Sequence, residues 1–215
     1  LIFIEVALTD RISDTVAPLL DPASPVADPA RADCAIFYSI TNCQEGLRGV
    51  SFGNLLIKQV AEALGREFPR LKTFATLSPV PGFRAWLAKQ SAADPALATA
   101  VAPLQDANWH RDAARADALR EPLMRLCAHY LVNARKDNAP LDAVARFHLG
   151  NGARLERLNW LADLSTAGMQ RATGMMVNYV YRLDEVEDNH EAFVRDGVIA
   201  ASHAIKKLAR EGEAR

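Results

Sequence analysis

Hydrophobic residues open this chain without interruption. Leu1, Ile2, Phe3 and Ile4 begin a β-rich run, and the pattern predicts a buried strand. No leader or cap precedes it, so the chain reads as the C-terminal part of something longer. Pro18, Pro22, Pro25 and Pro29 then punctuate a stretch rich in Ala and Asp. Proline at that density forbids a helix and withholds ladder hydrogen bonds, which makes residues 17–33 a surface excursion. The β-branched and aromatic run Cys34-Ala-Ile-Phe-Tyr-Ser-Ile-Thr41 predicts a second buried strand. After a polar turn over 42–49, Phe52, Leu55, Leu56, Val60 and Leu64 recur at helical spacing. They predict an amphipathic helix over 51–66. Glu67-Phe-Pro69 ends it, because the residue before proline is pushed out of helical geometry. A third strand, Lys72 to Leu77, breaks at Ser78-Pro-Val-Pro-Gly82. Strand, glycine turn, helix and strand make a βαβ unit with parallel strands.

The second half changes texture. Residues 83–149 are rich in Ala, Leu and Arg, with helical spacing over 84–90, 96–103, 112–119, 121–133 and 141–149. Two β candidates follow, Arg154 to Trp160 and Met175 to Leu183, the latter alternating around Val177, Tyr179 and Tyr181. Val194, Val198, Ala201, Ile205 and Leu208 predict one long closing helix. The order of elements points to an α/β or α+β fold with an inserted helical block.

Composition narrows the function classes. With 215 residues, half of them hydrophobic and 24% charged, the chain is an ordinary globular one. Twenty-five basic against 26 acidic residues leave a formal charge of −1. That balance offers no broad cationic face for nucleic acid or an anionic membrane, although a small cationic pocket for one anionic ligand remains open. No apolar run approaches the ~20 residues that span a bilayer. Cys34, Cys43 and Cys127 are too scattered for a disulfide framework, and neither a Cys-x-x-Cys pair nor His-Glu-x-x-His occurs. A reducing, metal-free interior is the expectation.

Three local features carry chemistry. Gly46-Leu-Arg-Gly-Val-Ser-Phe-Gly-Asn54 lies between strand and helix. The first helical turn has free N–H groups and the positive end of the dipole. Glycine lets a diphosphate approach, Arg48 adds a full charge, and Ser51 can cap. An ordinary capped βα turn fits the same residues. Ser78 ends a strand where open α/β sheets place ligands, yet a serine satisfying backbone groups at a turn fits as well. His148 precedes Leu149-Gly-Asn-Gly152, a pattern that also suits a structural histidine at a helix terminus. His110, His129, His190 and His203 fall in helical or solvent-facing contexts.

The turn resembles the acyl-CoA motif of the GNAT acetyltransferase superfamily, with Arg48 first and Gly53 last and Ser51 where the middle glycine is usual. The whole chain is closer to the malonyl-CoA decarboxylase family. The segments that carry the likeness are Phe3–Asp10, Ala35–Ile40, Leu77-Ser-Pro-Val-Pro-Gly-Phe83, Pro122–Ala128, Phe147-His-Leu-Gly-Asn-Gly-Ala153, Asn159–Asp163 and Asn178–Tyr181, collinear to about Leu183. The resemblance implies a GNAT-like catalytic domain with a mixed sheet and flanking helices over 1–215, lacking its first strands and the family's N-terminal helical domain. It implies self-association through that domain. It also places the family's catalytic serine and histidine on Ser78 and His148 and an active-site tyrosine on Tyr181. A glutamate of some relatives falls on Ser51. Coenzyme A would rest on Arg48, Gly49, Val50, Ser51, Phe52, Gly53 and Asn54.

The implied reaction converts malonyl-CoA to acetyl-CoA and CO2 with no cofactor, because the thioester is its own electron sink. A CoA-dependent N-acetyltransferase and a non-catalytic CoA-binding module are the alternatives. Glu211-Gly-Glu-Ala-Arg215 is not a peroxisomal Ser-Lys-Leu ending, so a cytoplasmic location is expected.

Overall fold

The computed structural model describes residues 2–25, 28–42 and 53–213. Strand β1 (Ile2–Thr9) leads through the one-turn helix α1 (Ala17–Leu20) to β2 (Cys34–Asn42). Helix α2 (Gly53–Glu67) then crosses to β3 (Thr73–Thr76) and the short β4 (Ser78–Pro79). A helical block follows: α3 (Phe83–Ala93), α4 (Pro95–Val101) and α5 (Ala113–Val132). The small hairpin β5 (Arg135–Lys136) and β6 (Ala139–Pro140) precedes α6 (Ala143–Gly150). The chain continues through β7 (Arg154–Asn159), α7 (Thr166–Ala172), β8 (Met176–Tyr181), α8 (Val186–Asp196) and α9 (His203–Glu213).

The main sheet is mixed. β2 and β3 pair in parallel on either side of the α2 crossover, as the βαβ pattern requires. β1 flanks β2 in antiparallel fashion, and β8 pairs antiparallel with β3, β4 and β7. Strand alternation gives the sheet two apolar faces. Phe74, Val177, Tyr179 and Tyr181 point into the larger core with α2, α3, α5 and α6, while Ala75, Leu77, Met176 and Val180 pack under the segment that contains Ile12, Val16 and Leu19. Ile57 and Ala61 bury the inner stripe of α2. Among the described residues no helix is long and apolar enough to cross a membrane.

Four expectations are corrected. β1 is an edge strand, with Phe3 54% exposed, so an apolar opening run does not become a buried strand here. Residues 17–33 do contain a helical turn, because Pro18 sits in its first turn, where the missing N–H is no loss. The two patterns at 112–119 and 121–133 are one helix, α5, with Pro122 inside it. Leu119, Leu123, Leu126 and Tyr130 are buried on one continuous stripe, and Ala118, whose carbonyl proline leaves unbonded, is exposed. The closing helix is two helices. Gly197 at φ 65° ends α8, and the following segment joins the sheet, with Leu155 N–H donating to Ala200 O at 2.9 Å and Ser202 N–H to Leu155 O at 2.9 Å. Val194 and Val198 are 67% and 52% exposed, so their helical spacing with Ile205 carries no common face.

Asp142 fixes the helix that matters most for the site. Its Oδ1 accepts from the Val144 and Ala145 N–H groups at 3.0 Å, capping α6. Its Oδ2 lies 3.4 Å from Gly82 N and from the Tyr130 hydroxyl, which ties α6 to the loop after β4 and to α5. Burial pushes the Asp142 carboxyl up, and these donors oppose the shift. Asp142→Ala is expected to lower stability by about 2 kcal/mol or more, from the lost cap and the orphaned donors. Asp142→Asn, which can keep the cap, should lose less; urea unfolding midpoints at neutral pH measure both.

Candidate active site

Alternation along two neighbouring strands assembles the site. Thr76 and Ser78 share one face at the end of β3 and in β4, and Tyr179 and Tyr181 share the same face of β8. The pairing Phe74↔Tyr181, Ala75↔Val180 resumes in unchanged register at Ser78↔Val177, Pro79↔Met176. Between these pairs, side chains replace the backbone ladder. Tyr179 N–H donates to Thr76 Oγ1 at 3.2 Å, and the Asn178 amide donates to Thr76 O at 2.8 Å. Leu77 N–H donates to Phe37 O at 3.1 Å and so continues the parallel ladder with β2. The sequence break expected after Leu77 is this local opening within one continuing strand.

α6 lays His148 across the opening. His148 Nε2 is 3.0 Å from Ser78 Oγ, and its Nδ1 is 2.8 Å from the Tyr181 hydroxyl. Ser78 also donates to Thr76 Oγ1 at 2.9 Å. The imidazole stacks on Tyr179 with centroids 4.6 Å apart. Ser78, His148 and Tyr181 are 6%, 4% and 4% exposed. Residues 70 positions apart thus meet in one buried hydrogen-bonded chain.

Burial sets the protonation. It lowers the His148 pKa from 6.5 to about 3, so the imidazole is neutral. The helix-end dipole that would favour its cation is outweighed. Burial pushes the Tyr181 hydroxyl up, opposed by the side-chain amide of Asn151, and Tyr179 is raised chiefly by burial too. Both phenols stay protonated.

Of the proposed coenzyme A contacts, Arg48, Gly49, Val50, Ser51 and Phe52 lie outside the described residues, as does Cys43. Gly53 opens α2 and Asn54 follows it in the first turn. Cys34 and Cys127 are free and buried, and burial raises the Cys34 thiol to about 11. His190 is helical as expected, lying in α8, and is part-buried, with Nδ1 2.6 Å from Gly150 O at the end of α6. Thr76, Tyr179 and Asn151 belong to the site and were not singled out from sequence. Strand alternation from Ser78 and Tyr181 could have found the first two, and the Phe147–Ala153 motif contains the third.

The mixed sheet thus opens at its centre onto a buried hydroxyl–imidazole–phenol chain beside a strand end. The malonyl-CoA decarboxylase C-terminal domain family matches residues 1–215, and the chain belongs to that family. It is 37% identical over 234 residues to the mitochondrial malonyl-CoA decarboxylase of Rattus norvegicus, covering 97% of this chain and 48% of that protein. For the mitochondrial malonyl-CoA decarboxylase of Anser anser anser, identity is 35% over 231 residues, with 95% and 46% covered. The crystal structure of malonyl-CoA decarboxylase from Rhodopseudomonas palustris is similar at TM-score 0.92 and 49% identity, over 96% of this chain and 49% of that one. The chain spans about half the length of these relatives.

A neutral buried histidine makes stability depend on pH. The unfolded chain takes up a proton on His148 below about pH 6.5, and the folded chain does so only near pH 3. This group's contribution is therefore intact above pH 6.5 and lost progressively as pH falls toward 3. His148→Gln should flatten the drop in unfolding free energy between pH 7 and pH 5, measured by urea titration at each pH.

Proposed function

We propose that this chain carries the decarboxylation of malonyl-CoA to acetyl-CoA and CO2. The observation that supports it most directly is the Ser78–His148–Tyr181 chain, closed from water, in a member of this family. When the C–CO2 bond breaks, its electron pair passes to the thioester carbonyl and leaves an enolate. The α-carbon then takes up one proton, which solvent later replaces on the protein. The substrate supplies its own electron sink, so no metal or organic cofactor has a step to perform.

His148 is the proton donor to the α-carbon, a role that commonly contributes ~10²–10⁴-fold. Ser78 orients the malonyl carboxylate or relays the proton, and Tyr181 holds the far ring nitrogen. Apolar surroundings favour neutral CO2 over the carboxylate, and preorganised donors steady the developing oxyanion. The segment from Arg48 to Asn54, which leads into α2, holds the pyrophosphate of coenzyme A with backbone N–H groups and the Arg48 charge. Self-association through a helical domain outside this chain, a cytoplasmic location and the absence of nucleic-acid or membrane partners complete the reading.

The purified protein given malonyl-CoA and no acceptor should release CO2 and acetyl-CoA in equal amounts. Tight CoA binding without turnover, or turnover only with an added amine, would overturn the assignment. His148→Asn should lower kcat by ~10²-fold or more with coenzyme A affinity retained. Ser78→Ala should lower kcat more than it raises KM, and Arg48→Ala should do the opposite.

A further inference from the structure

Thr76 closes β3 and is fully buried, at 0% exposure. Its backbone is pinned from the neighbouring strand. The Asn178 amide donates to Thr76 O at 2.8 Å and to Ser13 O at 3.0 Å. Asn178 Oδ1 in turn accepts from Asn159 Nδ2 at 2.8 Å and Arg157 Nε at 3.1 Å, so the group that holds Thr76 is itself held. The Thr76 side chain is no freer. A branched Cβ leaves few allowed χ1 positions, and Tyr179 N–H donates to Oγ1 at 3.2 Å, which selects one of them.

Two residues on, Ser78 has only one torsion with which to place its hydroxyl, and three staggered wells to choose from. The well it occupies sets Oγ 2.9 Å from Thr76 Oγ1 and 3.0 Å from His148 Nε2. Bridging the gap in the ladder requires an acceptor for Tyr179 N–H and nothing more, so the bond to Ser78 is additional. The same hydroxyl also bears on the imidazole, because the ring of Tyr179 stacks on His148 with centroids 4.6 Å apart. Thr76 therefore touches the serine directly and reaches the histidine through the residue whose N–H it accepts.

We propose that Thr76 is a positioning residue whose hydroxyl, anchored by Tyr179 N–H, holds Ser78 Oγ against His148 Nε2. This role rests on the decarboxylase reading for its purpose, since there Ser78 orients the malonyl carboxylate or relays the proton. Without the Thr76 hydroxyl the serine loses one of its two partners and turns among its wells, and the reacting pair is assembled for only part of the time.

Thr76→Val keeps the branched shape and removes the hydroxyl. It should lower kcat about tenfold with KM for malonyl-CoA within about twofold, and Thr76→Ser should restore kcat to within about threefold of the unaltered protein. In a Ser78→Ala background, Thr76→Val should change kcat by less than about twofold, because no serine hydroxyl is left to place. An equal loss in both backgrounds would overturn the proposal, as would a loss carried by KM. If Thr76→Val does not fold, Thr76→Ser decides, and a kcat about tenfold down in that variant would overturn the proposal as well. The placement can also be read without substrate. In the protein labelled with ¹⁵N-histidine at pH 7, the His148 ring-nitrogen shifts, assigned by their absence from His148→Gln, should move in Thr76→Val and stay in Thr76→Ser. Unmoved shifts in a folded Thr76→Val protein would overturn the proposal. An unaltered protein that releases no CO2 would overturn the decarboxylase reading, and the shifts would still decide whether Thr76 places the serine.

Discussion

The site depends on the interruption of one ladder. If Thr76 and Leu77 paired with Asn178 and Tyr179 through ordinary backbone bonds, β3 and β4 would be a plain strand. Instead the Thr76 hydroxyl and the Asn178 amide take over those bonds. The exchange gives the Thr76 carbonyl and the Tyr179 N–H side-chain partners, and paired backbone groups are what make an opening in the middle of a sheet tolerable. It also puts the Thr76 hydroxyl where Ser78 can reach it. The polar residues that open the sheet are therefore among those that organise the reacting groups.

α6 brings the third component, and both of its ends are anchored. At the N-terminus the Asp142 carboxylate joins the helix to Gly82 and Tyr130, so that the loop leaving Ser78 and the helix carrying His148 share one buried charge. At the C-terminus His190 and the tight packing of Gly152 against Val186 hold the last turn. Gly82 is equally confined, since a Cβ there would come within 2.2 Å of the Tyr130 hydroxyl. A 3.0 Å contact between Ser78 and His148 is maintained by this bracing rather than by the contact itself.

Periodicity made much of the fold legible. The two parallel strands around a crossover helix, the helical block and the last two strands all follow from apolar spacing, with ends displaced by one to several residues, whereas the antiparallel pairing of those last strands does not. Where spacing misled, a tertiary reason won. Val194, Val198 and Ile205 fit one helical face by coincidence, and a left-handed glycine followed by pairing to Leu155 divides them. Ser78 and His148 show a different limit. Locally, a turn serine and a helix-end histidine explain them, and only the motifs shared with a family single them out. Thr76, Tyr179 and Asn151 stayed hidden because what distinguishes them is a partner across the sheet or beyond a helix end, which spacing along one element does not encode.

The unchanged register on either side of the opening carries a consequence for how such a chain can vary. Side chains on a strand switch faces at each step. One residue gained or lost between Phe74 and Ser78 would swing the serine to the face that holds Leu77 and Met176, turning its hydroxyl away from the imidazole. Point replacements on the outside of this fold leave that count intact. The spacing from Phe74 to Ser78 is thus as firmly constrained as any side chain it presents, and lineages of this domain should accumulate length changes in their loops while this short stretch keeps its number of residues.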